Sequence, residues 1–340
     1  MIDIKPAIWF PTVRTNTGTD VFTERLVEGL NKQGIKAEIT WLPLRAEYLP
    51  WTVPIPSPPK WATIVHVNTW LHTRFLPKQL PVIATLHHAI HDPELHPRKG
   101  MLRAAYHRYW IAPNERRVMQ LANHVTAVSQ FVAKMAQQTL RNVPIQVIYN
   151  SIDTHKYKPS HYHKKSNEQF QLLYVGAWRN LKGVDLLFPI ISKLGDNFKL
   201  QYTGGEAAKK EGIYMPPNTH DLGRLTHEQV IKAMQNADAL LFPSRSEGFG
   251  LVVIEAMACG LPVVITNGSA LTELVEHGIT GFLCEKDNIE DFVETIQYLK
   301  RNPKKCIEIG KMAREMAIQR FNTDNMLKEY INIYNLIVRT

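Results

Sequence analysis

The feature that most constrains this chain is the repeated alternation of short apolar runs with helical patterns. The apolar runs include IKPAIWF, ATIVHVN and PVIATLH in the first half, and QLLYVGAW and PVVIT in the second. Helical patterns lie between them, one of them from Val21 to Lys32 and ended by Gly34. This alternation is typical of βαβ units and a mainly parallel sheet. We therefore predict an α/β fold whose apolar runs end at ligand-facing turns.

The alternation is interrupted between Asn150 and Phe170 by a polar, basic segment without an apolar period. Such a segment is typical of a connector between domains. A chain of 340 residues is long enough for about two domains. We predict Rossmann-like domains over residues 1–155 and 156–320. Residues 321–340 have the period of an amphipathic helix, which could pack back on the first domain.

One helix of the second half carries a specific start signal. Thr226 is a predicted N-cap, and Gln229 three residues later completes a capping box. Leu225 and Val230 are spaced as a hydrophobic staple. We predict that this helix continues to Ala237.

The charge of the chain is strongly positive, with 40 Lys and Arg against 31 Asp and Glu and a net charge of +9. Such a charge favours a polyanionic partner. Basic and aromatic residues are mixed in residues 97–117, where helical spacing could place Tyr109 and Trp110 at the headgroups of an anionic membrane. An ordinary surface helix explains the same pattern. No nucleic-acid motif accompanies the charge, so nucleic acid is not an expected partner.

The cysteines and the apolar runs indicate the compartment. Cys259, Cys284 and Cys306 are far apart and lack metal-ligand spacing, so we expect reduced thiols in the cytosol. The segment MIDIKPAIWF is too quickly interrupted for a signal peptide, and no apolar run approaches the roughly 20 residues that span a bilayer. We expect a cytoplasmic protein that could lie on the inner face of the membrane.

The segment SRSEGFGLVVIEAMACGLPVV, residues 244–264, combines a glycine turn with a helix. A strand precedes the turn, the helix begins near Leu251, and Gly260 ends it. Gly248 and Gly250 let a ligand come close to the backbone, and the amides of the first helical turn attract phosphate.

The same segment carries two acids, Glu247 and Glu255, among apolar neighbours. Each carboxylate can accept hydrogen bonds from two adjacent hydroxyls of a polyhydroxy ligand. Taken singly, Glu247 also fits a solvated turn acid and Glu255 a first-turn acid favoured by the helix dipole. Together with the glycine turn, the pair favours a site for a phosphorylated, hydroxyl-rich molecule.

On these residues, EGFGLVVIEAMACGLPVV resembles the E-x7-E segment of retaining glycosyltransferases with the GT-B fold, in particular glycosyltransferase family four. YNSIDTHKYKP resembles the family's N-G-x-D element, with Ser151 where glycine is usual. HDLGRLTHEQVIKAMQNADALLFPS and NGSALTELVEHGITGFL resemble the flanking stretches. The resemblance implies two Rossmann-like, doubly wound parallel-sheet domains facing a cleft, with the acceptor on the first and the nucleotide sugar on the second.

The resemblance also implies roles for residues of the second domain. Glu255 would bind the ribose hydroxyls of a nucleotide diphosphate sugar, and Glu247 the sugar hydroxyls. Gly223 and Arg224 would lie against the base. The backbone that would line the sugar and diphosphate belongs to Gly248, Phe249, Gly250 and Leu251.

YVGAWRNLKGVDLL resembles the family's G-R-x4-K-G phosphate loop, with Lys182 and Gly183 in register. Ala177 stands where the family has arginine, and Arg179 two residues later is a candidate substitute. The resemblance therefore implies that Lys182 binds the phosphates. It leaves the role of Arg179 open.

The first half resembles the family at two further points. TNTGTDVFTERL resembles the glycine turn that approaches the donor phosphates, with the usual double glycine reduced to Gly18. ATLHHAIHDP places His87 at a strand end, where the family carries a histidine near the sugar and diphosphate. His88 and His91 are rivals for that role, and a histidine at a strand end is often purely structural.

The implied reaction is transfer of a sugar from a nucleotide diphosphate sugar to an acceptor hydroxyl with retention of configuration. We expect no cofactor and no metal, since Lys182 and the helix amides would offset the negative charge that develops on the leaving diphosphate. The expected acceptor is a glycan or a lipid-linked molecule in cell-surface glycan, lipopolysaccharide or glycolipid synthesis. A non-catalytic nucleotide-sugar-binding protein and a GT-B epimerase or phosphorylase are the alternatives.

Overall fold

A computed structural model describes residues 5–93, 95, 100–160, 169–210 and 216–339. The chain forms two compact units. Unit 1 contains the described residues of Met1–Ser151 and Thr323–Thr340, and unit 2 those of Ile152–Asn322. Each unit holds its own six-stranded parallel sheet, which confirms the predicted α/β fold.

The sheet of unit 1 is built in the order β2-β1-β3-β4-β5-β6. Its strands are β1 Ile8–Val13, β2 Ala37–Leu42, β3 Ile64–Asn68, β4 Val82–Leu86, β5 His124–Ala127 and β6 Gln146–Val147. Its helices before the second unit are α1 Gly18–Lys32, α2 Arg45–Tyr48, α3 Met101–Tyr106, α4 Ala112–Leu121 and α5 Gln130–Thr139, with a π-helical turn at His107–Ile111. Since β1 lies between β2 and β3, the order of the strands reverses there.

The sheet of unit 2 follows the order β12-β11-β10-β7-β8-β9, the arrangement of dinucleotide-binding folds. Its strands are β7 Phe170–Tyr174, β8 Phe198–Tyr202, β9 Thr219–Asp221, β10 Ala239–Phe242, β11 Val263–Thr266 and β12 Phe282–Cys284. Its helices are α6 Val184–Leu194, α7 Gly205–Lys210, α8 His227–Asn236, α9 Leu251–Ala258, α10 Ile289–Arg301 and α11 Pro303–Arg320. Here the strand order reverses between β7 and β10.

The last helix of the chain, α12 Thr323–Arg339, packs in unit 1. Its buried Tyr330 and Tyr334 join a core cluster that contains Ile8 and Phe10 of β1 and residues of α1. The opposite face of β1 packs in a second cluster, which includes Val118 of α4. Helices therefore cover both faces of the sheet, as in a doubly wound fold.

Helix α8 has the start that the sequence predicts. The Thr226 hydroxyl accepts from the Gln229 amide at 3.3 Å, and the Gln229 side chain accepts from the Thr226 amide at 2.8 Å. These two bonds confirm the capping box. Helix α1 differs from its prediction, because it begins at Gly18 rather than near Val21.

The placement of Trp110 and Tyr109 at lipid headgroups stays a prediction, and the structure shows that Trp110 is also anchored within unit 1. The Trp110 indole donates to the Glu47 carbonyl at 2.9 Å and stacks on His72 within unit 1. Tyr109 is 72% exposed. Residues 97–99 of the same basic stretch lie outside the described residues. Within the described ranges, no helix is both long and apolar enough to cross a bilayer.

Candidate functional site

The candidate site of unit 2 lies at the carboxyl ends of β7 and β10, where the strand order reverses. Open parallel sheets bind ligands at such a point. The loop after β7 and the turn after β10 touch closely, since a Cβ on Gly183 would come within 2.0 Å of the Pro243 carbonyl oxygen. Gly183 also has φ +70°. Only glycine fits there, and its backbone brings the two loops together.

This contact brings Lys182 and Glu247 together. The Lys182 Nζ lies 2.6 Å from Glu247 Oε1, and the Ser244 hydroxyl donates to the same oxygen at 2.6 Å. The Glu247 amide donates to Ser269 Oγ at 3.0 Å. The side chains of Lys182 and Glu247 are 26% and 11% exposed. A cation and a carboxylate are therefore held side by side and remain accessible.

The turn before α9 is shaped by Gly250, whose φ is +104°. Leu251 begins the helix, and Glu255 lies one turn further along with its side chain partly exposed. Phe249 is buried and packs its ring against Phe321, so its side chain belongs to the core of unit 2. Gly248 is partly exposed.

Gly223 and Arg224 follow β9, in a loop organised by Asp221. The Asp221 carboxylate accepts from the amides of Gly204, Gly205 and Gly223 at 2.8–2.9 Å. Burial raises the pKa of this carboxyl, but the three amide hydrogen bonds together with the nearby charge of Lys209 outweigh burial and lower the pKa. Arg224 is exposed at the end of this loop. Sequence reasoning missed Asp221, although an acid at a strand end before glycine is a recognisable signal.

Arg179 and Ala177 are both exposed in the loop after β7. The Arg179 carbonyl accepts from the Lys182 amide at 2.8 Å, which closes the short 3-10 turn Asn180–Lys182. Arg179 therefore supports the Lys182 turn through its backbone. Whether its side chain substitutes for the family arginine stays a prediction.

In unit 1, His87 ends a polar chain that joins the carboxyl ends of three strands. The Asn68 amide donates to Thr12 Oγ1 at 2.9 Å, and His87 Nε2 lies 2.8 Å from Asn68 Oδ1. Burial lowers the pKa of His87 well below its usual value, and His88 and His66 lower it further. The imidazole is therefore neutral, and its Nε2–H donates to Asn68.

The rival histidines lie in different surroundings. His88 is exposed and stacks on Trp70 with ring centroids 5.8 Å apart. His91 Nε2 lies 2.8 Å from the buried carboxylate of Glu115, which also accepts from Thr69. His91 is thus held in an internal polar pair.

Gly18 is the exposed first residue of α1, but an acid already fills the adjacent loop. The Asp20 carboxylate accepts from the amides of Thr15 and Asn16 at 3.0 and 2.7 Å. These two backbone donors beside Gly18 are therefore already paired with Asp20. The phosphate role of Gly18 stays a prediction, and Gly18 and His87 belong to a different unit from Lys182 and Glu247.

Among the described residues, no group of three or more His, Cys, Asp or Glu side chains is placed to hold a metal ion.

Comparison with known proteins gives two family matches, one mostly within unit 1 and one within unit 2. A model described as glycosyl transferases group 1 matches residues 159–316, and one described as glycosyltransferase family 4 matches residues 59–156. An uncharacterized glycosyltransferase of Methanocaldococcus jannaschii is 33% identical over 58% of this chain and 55% of that protein. The chain spans little more than half the length of the curated relatives it matches.

Two solved structures share the fold over nearly the whole chain. Sucrose-phosphate synthase from Thermosynechococcus elongatus has a TM-score of 0.82 at 17% identity, over 98% of this chain and 99% of its own. Anabaena HepE in complex with UDP and glucose has a TM-score of 0.74 at 18% identity, over 96% of this chain and 99% of its own. With the two parallel sheets and the two family matches, this chain belongs to the GT-B glycosyltransferases of family 4.

Proposed function

We propose that the protein transfers a sugar from a nucleotide diphosphate sugar to an acceptor hydroxyl and retains the anomeric configuration. The observation that carries the proposal is the Lys182–Glu247 pair, placed where the two strand-end loops of unit 2 meet. Glu247 is assigned to the sugar hydroxyls and Glu255 to the ribose. Gly223 and Arg224 are assigned to the base.

Charge is the main physical demand of the reaction. As the glycosidic C–O bond breaks, the diphosphate gains negative charge and the sugar becomes oxocarbenium-like. Lys182 and the amides of the first turn of α9 would stabilise that leaving group without a divalent metal. The acceptor would enter on the face that the diphosphate leaves, and a phosphate oxygen would take its proton. His87, neutral in its buried position, is assigned to orient the sugar and phosphate.

The donor class follows from the same groups together with one structural neighbour. The HepE structure holds UDP and glucose. The two carboxylates and Lys182 are assigned to the ribose, the sugar and the phosphates, not to the base. A uridine, guanosine or adenosine diphosphate sugar therefore fits these contacts equally well.

Nucleotide release tests this proposal. Purified protein is incubated with UDP-, GDP- and ADP-sugars, with and without acceptor extracts. We expect release that depends on acceptor and is lost in Glu255→Gln. Epimerised donor without acceptor would instead identify an epimerase, and binding without turnover of any donor would identify a sensor.

We further propose that unit 1 docks on an anionic membrane and receives a lipid-linked acceptor there. The supporting observation is an apolar face formed by two segments of the chain. Tyr48 packs on Tyr106 with ring centroids 5.5 Å apart, and Trp51 on Trp110 at 5.9 Å, so the segments adjoin. The exposed side chains of this apolar face are Leu44, Tyr48, Leu49, Trp51, Ile55, Met101, Leu102 and Tyr109.

The charge around the apolar face fits an anionic bilayer better than a neutral partner. Arg45, Arg103 and Arg108 are exposed within the two segments. Glu47 is the one acid in residues 43–60 and 100–114. Burial raises its pKa, although the Tyr106 hydroxyl that donates to it acts in the opposite sense. Apolar side chains rimmed by arginine are typical of surfaces that lie at the headgroup level.

Vesicle sedimentation tests the docking proposal. We expect binding to phosphatidylglycerol vesicles that weakens in high salt, and loss of binding when Met101 and Leu102, each 89% exposed, are both changed to serine. The matched control is Ile307→Ser, which removes a 62% exposed side chain in unit 2. Equal sedimentation of all three proteins would reject the docking face, and self-association instead would assign the face to a second copy.

A further inference from the structure

Arg245 is a buried cation beside the candidate site that none of the assigned donor contacts uses. It follows Ser244 and precedes Glu247 by two residues. Its side chain is 4% exposed, whereas Lys182 is 26% exposed. A charge so buried must be paired, so its partners indicate its purpose.

The partners of Arg245 lie on both sides of Lys182. Its Nη1 and Nη2 donate to the two carboxylate oxygens of Asp185 at 2.6 and 2.7 Å. Asp185 is in the first turn of α6, three residues after Lys182. Nη1 also donates to the carbonyl of Asn180, at the start of the turn that contains Lys182. The Arg245 amide donates to the Leu181 carbonyl at 3.0 Å.

A further contact ties the Arg245 side chain to another loop of unit 2. Its Nε donates to Asp287 Oδ1 at 2.5 Å. The Asp185 and Asp287 side chains are 40% and 36% exposed, so the acids are partly open to water while the guanidinium is buried. The hydrogen bond to Asp185 raises the pKa of Arg245, burial opposes this, and the hydrogen bond to Asp287 raises the pKa further, so the guanidinium stays charged. Two-pronged arginine–carboxylate contacts fix orientation as well as distance.

We propose that Arg245 is a positioning residue that keeps the Lys182 turn in register with Glu247. The inference rests on the proposed function, because it assigns Lys182 to the donor diphosphate. The turn Asn180–Lys182 spans only three residues. Arg245 holds it at Asn180, at Leu181 and at Asp185, while its own backbone leads directly to Glu247. Loss of the guanidinium fork would let Lys182 shift away from the phosphates without removing any group that touches the nucleoside.

The proposal predicts a selective loss of affinity. Lysine at position 245 keeps the charge but cannot form the planar two-pronged contact. We expect Arg245→Lys to raise the Kd for a nucleoside diphosphate by about tenfold, since charge-assisted contacts are strong, and to leave the Kd for the corresponding monophosphate within about twofold. A general loss of folding would weaken both nucleotides alike.

Two further variants keep the test decisive if Arg245→Lys folds poorly. Asp185→Asn removes the other end of the fork at a 40% exposed side chain and should reproduce the selective loss. The control is Glu290→Gln, which removes a 61% exposed carboxylate from an ion pair with Lys193 elsewhere in unit 2. It should bind both nucleotides as the unmodified protein does.

The experiment is calorimetric titration, first with uridine, guanosine and adenosine diphosphates and then with the monophosphate of the tightest binder. The effect of Arg245→Lys is measured again in a Lys182→Ala background. Because Arg245 acts through Lys182, we expect its effect to vanish there rather than add. Additive effects, or equal weakening of both nucleotides, would overturn the positioning role alone. If the unmodified protein binds no nucleoside diphosphate, the proposed function fails and this inference fails with it.

Discussion

At the residue scale, the site depends on one shared carboxylate oxygen. Glu247 Oε1 accepts from both Lys182 and Ser244 at 2.6 Å. An exposed ion pair contributes little, but this carboxylate is only 11% exposed and accepts two short hydrogen bonds on one oxygen. Its position is therefore fixed before any ligand arrives, as preorganised electrostatic stabilisation requires.

Lys182→Ala should lower the rate of sugar transfer by about 100- to 1,000-fold, the usual effect of removing one preorganised group that stabilises developing charge. The melting temperature should change little, because Ser244 still donates to Glu247. Steady-state nucleotide release measures the rate.

The control for that variant is Lys193→Ala, since Lys193 also pairs with a glutamate but is 49% exposed. It should retain full activity. Unchanged activity in Lys182→Ala would remove Lys182 from the site.

Gly183→Ala should destabilise unit 2 by more than about 2 kcal/mol, because a positive φ alone costs roughly 1–2 kcal/mol for a residue with a Cβ. Here the Cβ would also lie 2.0 Å from the Pro243 carbonyl oxygen. Gly278→Ala is the matched control, since Gly278 has φ +75° and open space around it. Equal shifts of the two variants in urea denaturation would contradict the close backbone contact.

Sequence reasoning selected Lys182 and Glu247 as candidates because both lie in register with recognisable loops. It missed Arg245, because a single arginine before a glycine turn usually indicates a solvated side chain. The role of Arg245 is evident only from its contacts with Asp185 and Asp287, which lie 60 and 42 residues away in the chain. Such long-range pairs leave no local pattern.

At the element scale, α12 completes unit 1 although it follows the whole of unit 2 in the chain. A Cβ on Gly29 of α1 would come within 2.7 Å of Leu327, so glycine lets the two helices approach closely. Tyr334 extends from α12 to His66 in β3, whose ring lies 2.8 Å from the Tyr334 hydroxyl and 2.6 Å from Thr85 Oγ1. Helix α12 is thus held by close packing against α1 and by a buried hydrogen bond between Tyr334 and His66.

Tyr334→Phe should destabilise unit 1 by about 1–3 kcal/mol, because it leaves a ring nitrogen of buried His66 without its partner. Chemical denaturation measures the change. Leu336→Ala, on the exposed side of the same helix, should shift stability by less than about 0.5 kcal/mol. A Tyr334→Phe protein as stable as the unmodified one would show that α12 is held by apolar packing alone.

The sequence predicted the elements well where local signals decide them. The capping box of α8 and the glycine stop of α9 are local features, and both are present. The placement of Trp110 could not be predicted, because its partner Glu47 lies 63 residues earlier. Periodicity identifies an amphipathic helix, but tertiary contacts decide which of its aromatic side chains are exposed.

At the scale of the whole molecule, buried histidines make the stability of the fold depend on pH. Burial lowers the pKa of His66 to about 3 and also lowers that of His87, whereas an unfolded histidine has its pKa near 6.5. Below about pH 6.5 the unfolded chain therefore binds protons that the fold excludes, so stability falls as the pH falls. For His66 this amounts to about 1.4 kcal/mol per pH unit between roughly pH 6 and pH 4, and His87 acts in the same direction.

Melting temperatures between pH 7.5 and pH 4.5 test this dependence. His66→Gln should be less stable at neutral pH but lose less stability on acidification than the unmodified protein. The control His155→Gln changes an exposed histidine and should follow the unmodified curve. Parallel curves for all three proteins would contradict the role of His66.

The two-sheet architecture could be predicted from the alternation of strands and helices, because each βαβ unit leaves a repeated local pattern. The order of the strands could not. It depends on which buried strands pair, and apolar runs such as those of β3 and β10 look alike in the sequence. The reversal of strand order that places Lys182 beside Glu247 therefore emerges only from the fold.

The most direct measurement is a crystal structure of the protein with the nucleotide sugar that it turns over. We predict phosphates between Lys182 and the first turn of α9, ribose on Glu255 and sugar on Glu247. A donor bound elsewhere, with Lys182 and Glu247 still paired to each other and in contact with no part of the donor, would contradict the proposed site.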